Sequence, residues 1–267
     1  MRFPEYINFL FFSFFILFAW LRPISTRRRI TTTTLGVIGL TLTLVSVFAD
    51  QIFPGVASIL RDWLPAPLMP MVYWQAGCFT RVPNERFQNL LHGIDEKWFR
   101  PLILRLAPHR SYQGIATTLE LAYLSCYVLV PLGLAAMYIT KTERYAAEYW
   151  TVVLAATYPC YALTALVQTL PPRVLSNDSM RPPSGEIRTF NLWIVRHASI
   201  HFNTFPSAHV TATLAGSLVL LRYSPKIGLL FLVVSIGIAI GAVTGRYHYA
   251  ADVIVAAALT LLVFVMS

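Results

Sequence analysis

Three short pieces of this sequence carry the residue types of acid–base and phosphate chemistry. The first is "GRYHYAADV", residues 245–253. It places His248 four residues before Asp252, so at a helix start both side chains leave one face. A carboxylate that accepts an imidazole N–H fixes the tautomer and leaves the other ring nitrogen free and more basic. That is how a nucleophilic or basic histidine is prepared. The second is "HFNTFPSAHV", residues 201–210. Pro206 suits the first turn of a helix, where its missing N–H is no loss. Ser207, Ala208 and His209 then occupy that turn, whose N–H groups have no partner inside the helix and make a ready anion site. A histidine there is placed to meet an anion and donate a proton. The third is "LPPRVLSNDSMRPPSG", residues 170–185. Its Arg173 and Arg181 carry guanidinium groups, which stay charged and bind phosphate oxygens bidentately. Arg246, two residues before His248, is a further candidate.

The elements that must position these residues are membrane helices. The chain has 267 residues, is 56% hydrophobic and only 12% charged, where soluble domains carry about 25% charge. That makes it an all-α, polytopic bundle of transmembrane helices, and its length allows roughly six to eight spans. A net charge of +9 would point to nucleic acid in a soluble protein. Here the basic residues cluster at the ends of apolar runs, as in "RPISTRRR", residues 22–29. Arginines so placed orient spans and meet anionic headgroups, so membrane lipids and not nucleic acid are the expected partners. Cys78, Cys126 and Cys160 are widely spaced and suggest neither a disulfide framework nor a zinc knuckle.

Apolar runs at 6–21, 34–49, 114–139, 149–170, 207–221, 227–243 and 250–266 read as spans. The first has its charges after it and no small-residue cleavage site, so it reads as a retained span. Residues 84–110 are amphipathic and read as an interfacial helix on the membrane. This divides the chain into an N-terminal part, residues 1–110, and a catalytic core, residues 111–267. The basic loops at 22–29, 141–144 and 222–226 are expected in the cytoplasm. Residues 171–205 and 244–250 then share the opposite, extracytoplasmic face of a plasma or inner membrane, which brings "PSAH" and "HYAAD" to one side. That arrangement requires residues 50–110 to cross an even number of times. Gly237, Gly241 and Gly245 repeat every fourth residue and present a smooth face for close helix approach.

The order Arg, Pro-Ser-x-His, His-x-x-x-Asp resembles the type 2 phosphatidic acid phosphatase (PAP2) superfamily. That superfamily includes lipid phosphate phosphatases, inositol phosphorylceramide synthase-like transferases and vanadium haloperoxidases. The pieces "PPR", "FPSAH" and "GRYHYAAD" look most like its membrane branch, over residues 114–266. The resemblance implies that His248 attacks phosphorus, Asp252 orients it and His209 protonates the leaving alkoxide. It implies that Arg173 and Ser207 hold phosphate oxygens, and that no metal or other cofactor is needed. Three positions depart from the family pattern. Arg173 and Arg181-Pro182 are separated by seven residues, where Lys-x6-Arg-Pro is common. Ala208 stands where glycine is common, and Gly241-Ala242 stands where Ser-Arg is common. Arg246 is the expected replacement for that missing arginine.

The implied function is hydrolysis of a lipid phosphate through a phosphohistidine. The alternative is transfer of the phospho group to a lipid or sugar hydroxyl. Two readings of other classes use other residues. His197 and His201, at i and i+4, could join His209 and Asp252 around a metal. Glu120, inside an apolar run, could be an ion site in a transporter, or a buried carboxylate paired with a tyrosine or backbone group.

Overall fold

The computed structural model describes residues 1–106, 112–175 and 185–267. Among these the chain is all-α, apart from one isolated β-bridge between Thr169 and Asn203. Helices α1 (Phe3–Leu21) and α2 (Thr26–Ile52) pack as a hairpin. Both are long and apolar enough to cross a membrane, as is α12 (Pro225–Thr244). Leu10, Leu17, Val45 and Leu230 lie exposed on these helices, the apolar outer surface that lipid covers.

Residues 114–139, expected as one span, are two helices. α7 (Tyr112–Leu124) and α8 (Cys126–Ile139) meet at a 60° bend. Ser125 sits at the break and its hydroxyl donates to the Ala122 carbonyl at 2.6 Å, a local bond that competes with the helix ladder.

The spans expected at 149–170, 207–221 and 250–266 appear as α9 (Ala146–Leu166), α11 (Ala208–Tyr223) and α13 (Ala250–Met266). α11 and α13 have 16 and 17 residues, below the ~20 of a full span. α9 is mostly buried and carries Thr157, Pro159 and Thr164. It is the axis of the bundle and not a lipid-facing rod. Phe12 and Phe15 of α1, Leu134 of α8 and Val219 of α11 share its core. The aromatic side chains of α9 bury their rings and satisfy their polar tips. Tyr149 donates to Val130 O, Trp150 to Asp62 O and Tyr158 to Asn8 Oδ1, each at 2.6 Å.

The topology differs from the charge-based expectation. Residues 22–29 do not lie beside the loops at 141–144 and 222–226. Arg28 Nη1 donates to Thr80 O at 2.7 Å, and Gln168 Nε2 donates to Phe79 O at 3.0 Å. That end of the bundle carries Thr169 and the segment leading to Arg173. At the other end Arg2 and Tyr138 both bond Asp62, and Ser224 bonds Thr140. The cause is α4. After α3 (Pro54–Trp63), α4 (Pro65–Gly77) runs back through the bundle against α1, α2 and α9. Between residues 50 and 106 the described chain therefore crosses once, an odd number. Arg22, Arg27, Arg28 and Arg29 stand at one end, and Lys141, Arg144, Arg222 and Lys226 at the other. The basic loops expected on one face therefore stand at opposite ends of the bundle.

The amphipathic stretch also departs from a simple surface helix. It forms α5 (Glu85–Ile94), a π-helical turn (Asp95–Phe99) and α6 (Arg100–Leu106). α5 and the turn pack against α13, and Asp95 is fully buried.

Candidate active site

The glycine face of α12 is used as the spacing suggests. A Cβ at Gly241 would lie 2.5 Å from the Leu119 carbonyl oxygen, and one at Gly237 would lie 3.1 Å from the Ala122 Cβ. α12 therefore meets α7 backbone to backbone. After α12 the chain turns sharply. The N–H groups of Tyr247 and His248 both donate to Ala242 O at 2.9 Å. Arg246 adopts a left-handed conformation, φ 61°, uncommon for a residue with a side chain. The turn delivers His248 just ahead of α13.

Asp252 lies in the first turn of α13, where a carboxylate is favoured by the helix dipole. One of its oxygens, Oδ2, collects several groups. Asn203 Nδ2 donates to it at 2.7 Å, the Tyr249 N–H donates at 2.9 Å, and His248 Nδ1 lies at 3.3 Å. With its Nδ1 proton directed at Asp252, His248 keeps the Nε2 lone pair for chemistry. Burial, and after it the charge of Arg173, holds the His248 imidazole well below its ordinary pKa. The ring is therefore neutral at physiological pH.

Ser207 stands at the N-cap position of α11 without a side-chain capping bond, and His209 follows in the first turn. The ring of His209 stands 6.1 Å from that of His248, at 75°. Tyr123 and Tyr127, on either side of the bend between α7 and α8, pack edge-on against His209 at 5.8 and 5.5 Å. The anion site at this helix start is smaller than its sequence suggests. The Ser207 N–H donates to Asp252 O and the Ala208 N–H to Thr204 Oγ1. The N–H groups of His209 and Val210 remain as first-turn donors without an intrahelical acceptor. Ser207 Oγ is buried and has no hydrogen-bond partner among the described residues.

Arg173 completes the group. Its backbone N–H donates to Arg246 O at 3.0 Å and its Nη1 to Tyr247 O at 3.3 Å. Arg173, Asn203, His209 and His248 line the polar end of a cavity of about 280 Å³. Much of the remaining wall is apolar or aromatic and includes Met69, Tyr73 and Trp74 of α4. A family model described as the PAP2 superfamily matches residues 89–266.

The chain belongs to the PAP2 superfamily. No curated protein and no solved structure matches it. Membership gives the general class of chemistry, phosphatase or phosphotransferase, in a membrane protein. In this PAP2 chain Arg173, His209 and His248 line the cavity, while Asp252 and Ser207 are buried behind that lining, Asp252 against His248 and Ser207 against Asp252. Arg246 is placed elsewhere. It has no exposed surface and its Nη1 donates to Asp95 Oδ2 at 2.8 Å, so the expectation that it replaces the missing phosphate arginine is corrected. A buried guanidinium must be paired, and Asp95 pairs it away from the cavity lining. Arg181 lies outside the described residues. His197 bonds the Trp193 carbonyl of its own helix, α10 (Glu186–Ala198). Neither His197 nor His201 lines the cavity, and among the described residues no group of three or more His, Cys, Asp or Glu could hold a metal ion.

Glu120 is the buried, tyrosine-paired carboxylate of the alternative reading. It accepts from Tyr247 OH at 2.6 Å, Arg188 Nη1 at 2.6 Å and Asn191 Nδ2 at 2.7 Å. Tyr247 in turn stacks on Tyr123 at 4.0 Å, which braces the loop next to His248. Asn203 and Asp95 are the polar residues that sequence reasoning missed. Asn203 stands inside the quoted "HFNTFPSAHV", and a polar side chain between two candidate histidines was its only signal. Asp95 is remote in sequence and gave none.

Proposed function

We propose that this protein hydrolyses a lipid phosphate ester through a phosphohistidine on His248. The observation that carries the reading is an asymmetry. Two histidine rings stand 6.1 Å apart at a cavity that Arg173 also lines, and only His248 has Asp252 beside it. The ring that Asp252 orients is the nucleophile, and the other is the acid. His248 Nε2 attacks phosphorus while the phosphorus–alkoxide bond breaks and the alkoxide takes a proton from His209. Water then attacks phosphorus, His209 takes its proton back, the N–P bond breaks, and phosphate leaves with His248 restored. Charge on the equatorial oxygens is met by Arg173, Ser207 Oγ and the N–H groups of His209 and Val210, the fixed dipoles and cations such a transition state requires.

A panel of lipid phosphates tested on wild type and His248→Ala decides the reading. Phosphate release that His248→Ala abolishes supports it, and undiminished release by the variant sinks it. Adding polyol or lipid hydroxyls separates the two fates of the intermediate. A phosphorylated acceptor in place of inorganic phosphate would make the protein a transferase by the same first step. Activity that disappears in strong chelator and returns with added metal would refute the metal-independent scheme.

A further inference from the structure

Asp95 reaches both sides of the residue that carries the chemistry. Its Oδ2 accepts from Arg246 Nη1 at 2.8 Å, and its Oδ1 accepts from the Ala250 backbone N–H at 2.9 Å. Arg246 and Ala250 each lie two residues from His248. Neither side chain of the Asp95–Arg246 pair has exposed surface. Each contact constrains something different. Arg246 has φ 61°, and a non-glycine residue stays in that region only where its surroundings over-determine it. Ala250 opens α13, so its N–H has no intrahelical acceptor. Asp95 caps it and thereby fixes the helix that carries Asp252. Arg173 hangs on the same turn, through Arg246 O and Tyr247 O.

We propose that Asp95 is a positioning residue. It sets the register between His248 and Asp252 and holds the turn on which Arg173 rests. It comes from outside the three sequence pieces that carry the chemistry, and it does not line the cavity. A buried ion pair is a weak source of stability, and apolar residues of similar volume often replace one without loss. What the pair supplies here is direction, because two carboxylate oxygens grip two points of one turn. The inference rests on His248 being the nucleophile.

The test uses the full chain in detergent micelles and compares wild type, Asp95→Asn, the double variant Asp95→Leu/Arg246→Met, and His248→Ala. Three quantities are read: melting temperature, kcat and KM for phosphate release from phosphatidate, and affinity for orthovanadate from its shift of the melting temperature. Vanadate mimics the transferring phosphoryl group and works whatever lipid is preferred. The double variant removes both charges at once and so leaves no unpaired buried charge. It is expected to fold, with a melting temperature below wild type by the loss of the Ala250 cap. Its kcat and vanadate affinity are expected to fall roughly 10–100-fold, as for a displacement of about 1 Å at a reacting centre, with KM little changed. Asp95→Asn keeps an acceptor for the Ala250 N–H and should fall between the two. A folded double variant with wild-type kcat and vanadate affinity overturns the proposal. So does activity that drops only in proportion to the folded fraction, or a change confined to KM. If wild type fails to bind vanadate, or His248→Ala binds it as wild type does, the nucleophile assignment fails and the positioning role goes with it.

Discussion

Asn203 and His248 share one oxygen of Asp252. Asn203 Nδ2 donates to Oδ2 at 2.7 Å, and His248 Nδ1 lies 3.3 Å from the same atom. Asn203 also pairs with Thr169 through its backbone N–H at 2.8 Å and its side chain at 3.2 Å. It thus ties the carboxylate to the segment that leads to Arg173. Replacing Asn203 by Leu frees the carboxylate to turn from the imidazole. A hydrogen bond to a charged group is worth about 1.5–3 kcal/mol, so kcat for phosphate release should fall roughly 10–100-fold with KM nearly constant. Steady-state kinetics on the purified variant checks this, and an unchanged kcat would remove Asn203 from the orienting role.

The two histidines should respond differently to the leaving group. His209 is needed only while the departing oxygen needs a proton. With a lipid alcohol as leaving group, His209→Ala should lose roughly 10²–10⁴-fold, the usual contribution of general acid catalysis. With p-nitrophenyl phosphate, whose leaving group is stable as an anion, much of that loss should vanish. His248→Ala should be inactive toward both. Equal losses for His209→Ala on the two substrates would contradict its assignment as the acid.

Glu120 should matter to stability more than to chemistry. It receives Arg188, Asn191 and Tyr247 in a buried network. Glu120→Leu leaves Arg188 without that carboxylate, a change that costs about 3–5 kcal/mol when a buried pair is broken from one side. The double variant Glu120→Leu/Arg188→Leu should recover most of the melting temperature in detergent. If the double variant melts no higher than the single one, the pair is not what the network depends on.

Gly241 has no room for a methyl group. A Cβ there would lie 2.5 Å from the Leu119 carbonyl, and backbone on α7 yields only if the helix moves. Tyr123, one turn further on, packs against His209 and Tyr247. Gly241→Ala should therefore lower both the melting temperature and kcat, by about 1–3 kcal/mol in stability as for other overpacked sites. Gly55, where an added Cβ meets nothing within 4 Å, serves as the control.

His248 also gives stability a pH dependence. Burial, then Arg173, lowers its folded pKa below the ordinary imidazole value, about 6.5 in the unfolded chain. Below that pH the unfolded chain takes up a proton that the folded one resists. The associated stability is present above about pH 6.5 and is lost progressively as pH falls. Wild type should lose more melting temperature than His248→Ala between about pH 7 and about pH 5. Parallel melting curves for the two proteins over that range would rule this out.

The fold class and the grouping of the polar pieces were more legible in the sequence than the course of the individual helices. His248, Asp252 and His209 stand in two short pieces whose local geometry is fixed by a turn and two helix starts, and the structure brings those pieces together. Arg246 misled because adjacency in sequence says nothing of which way a side chain leaves a tight turn. Its left-handed backbone sends the guanidinium to Asp95, and only the packing of α5 and the following turn against α13 reveals that partner. The run at 114–139 reads as one span because hydropathy does not register Ser125 bonding back to Ala122. The position of residues 22–29 was misread because α4, with Pro65, Pro67 and Pro70, looks like a broken surface stretch. Its buried Leu68, Val72 and Gln75 make it a crossing element.

That crossing has a further consequence. Met69, Tyr73 and Trp74 line the cavity, yet they precede the residues matched by the family model, 89–266. The residues proposed to act on phosphorus and part of the cavity wall beside them come from different stretches of chain. Substitutions in α4 can therefore change what fits beside the histidines without altering the histidines, and selectivity in this protein can drift while its reaction stays the same.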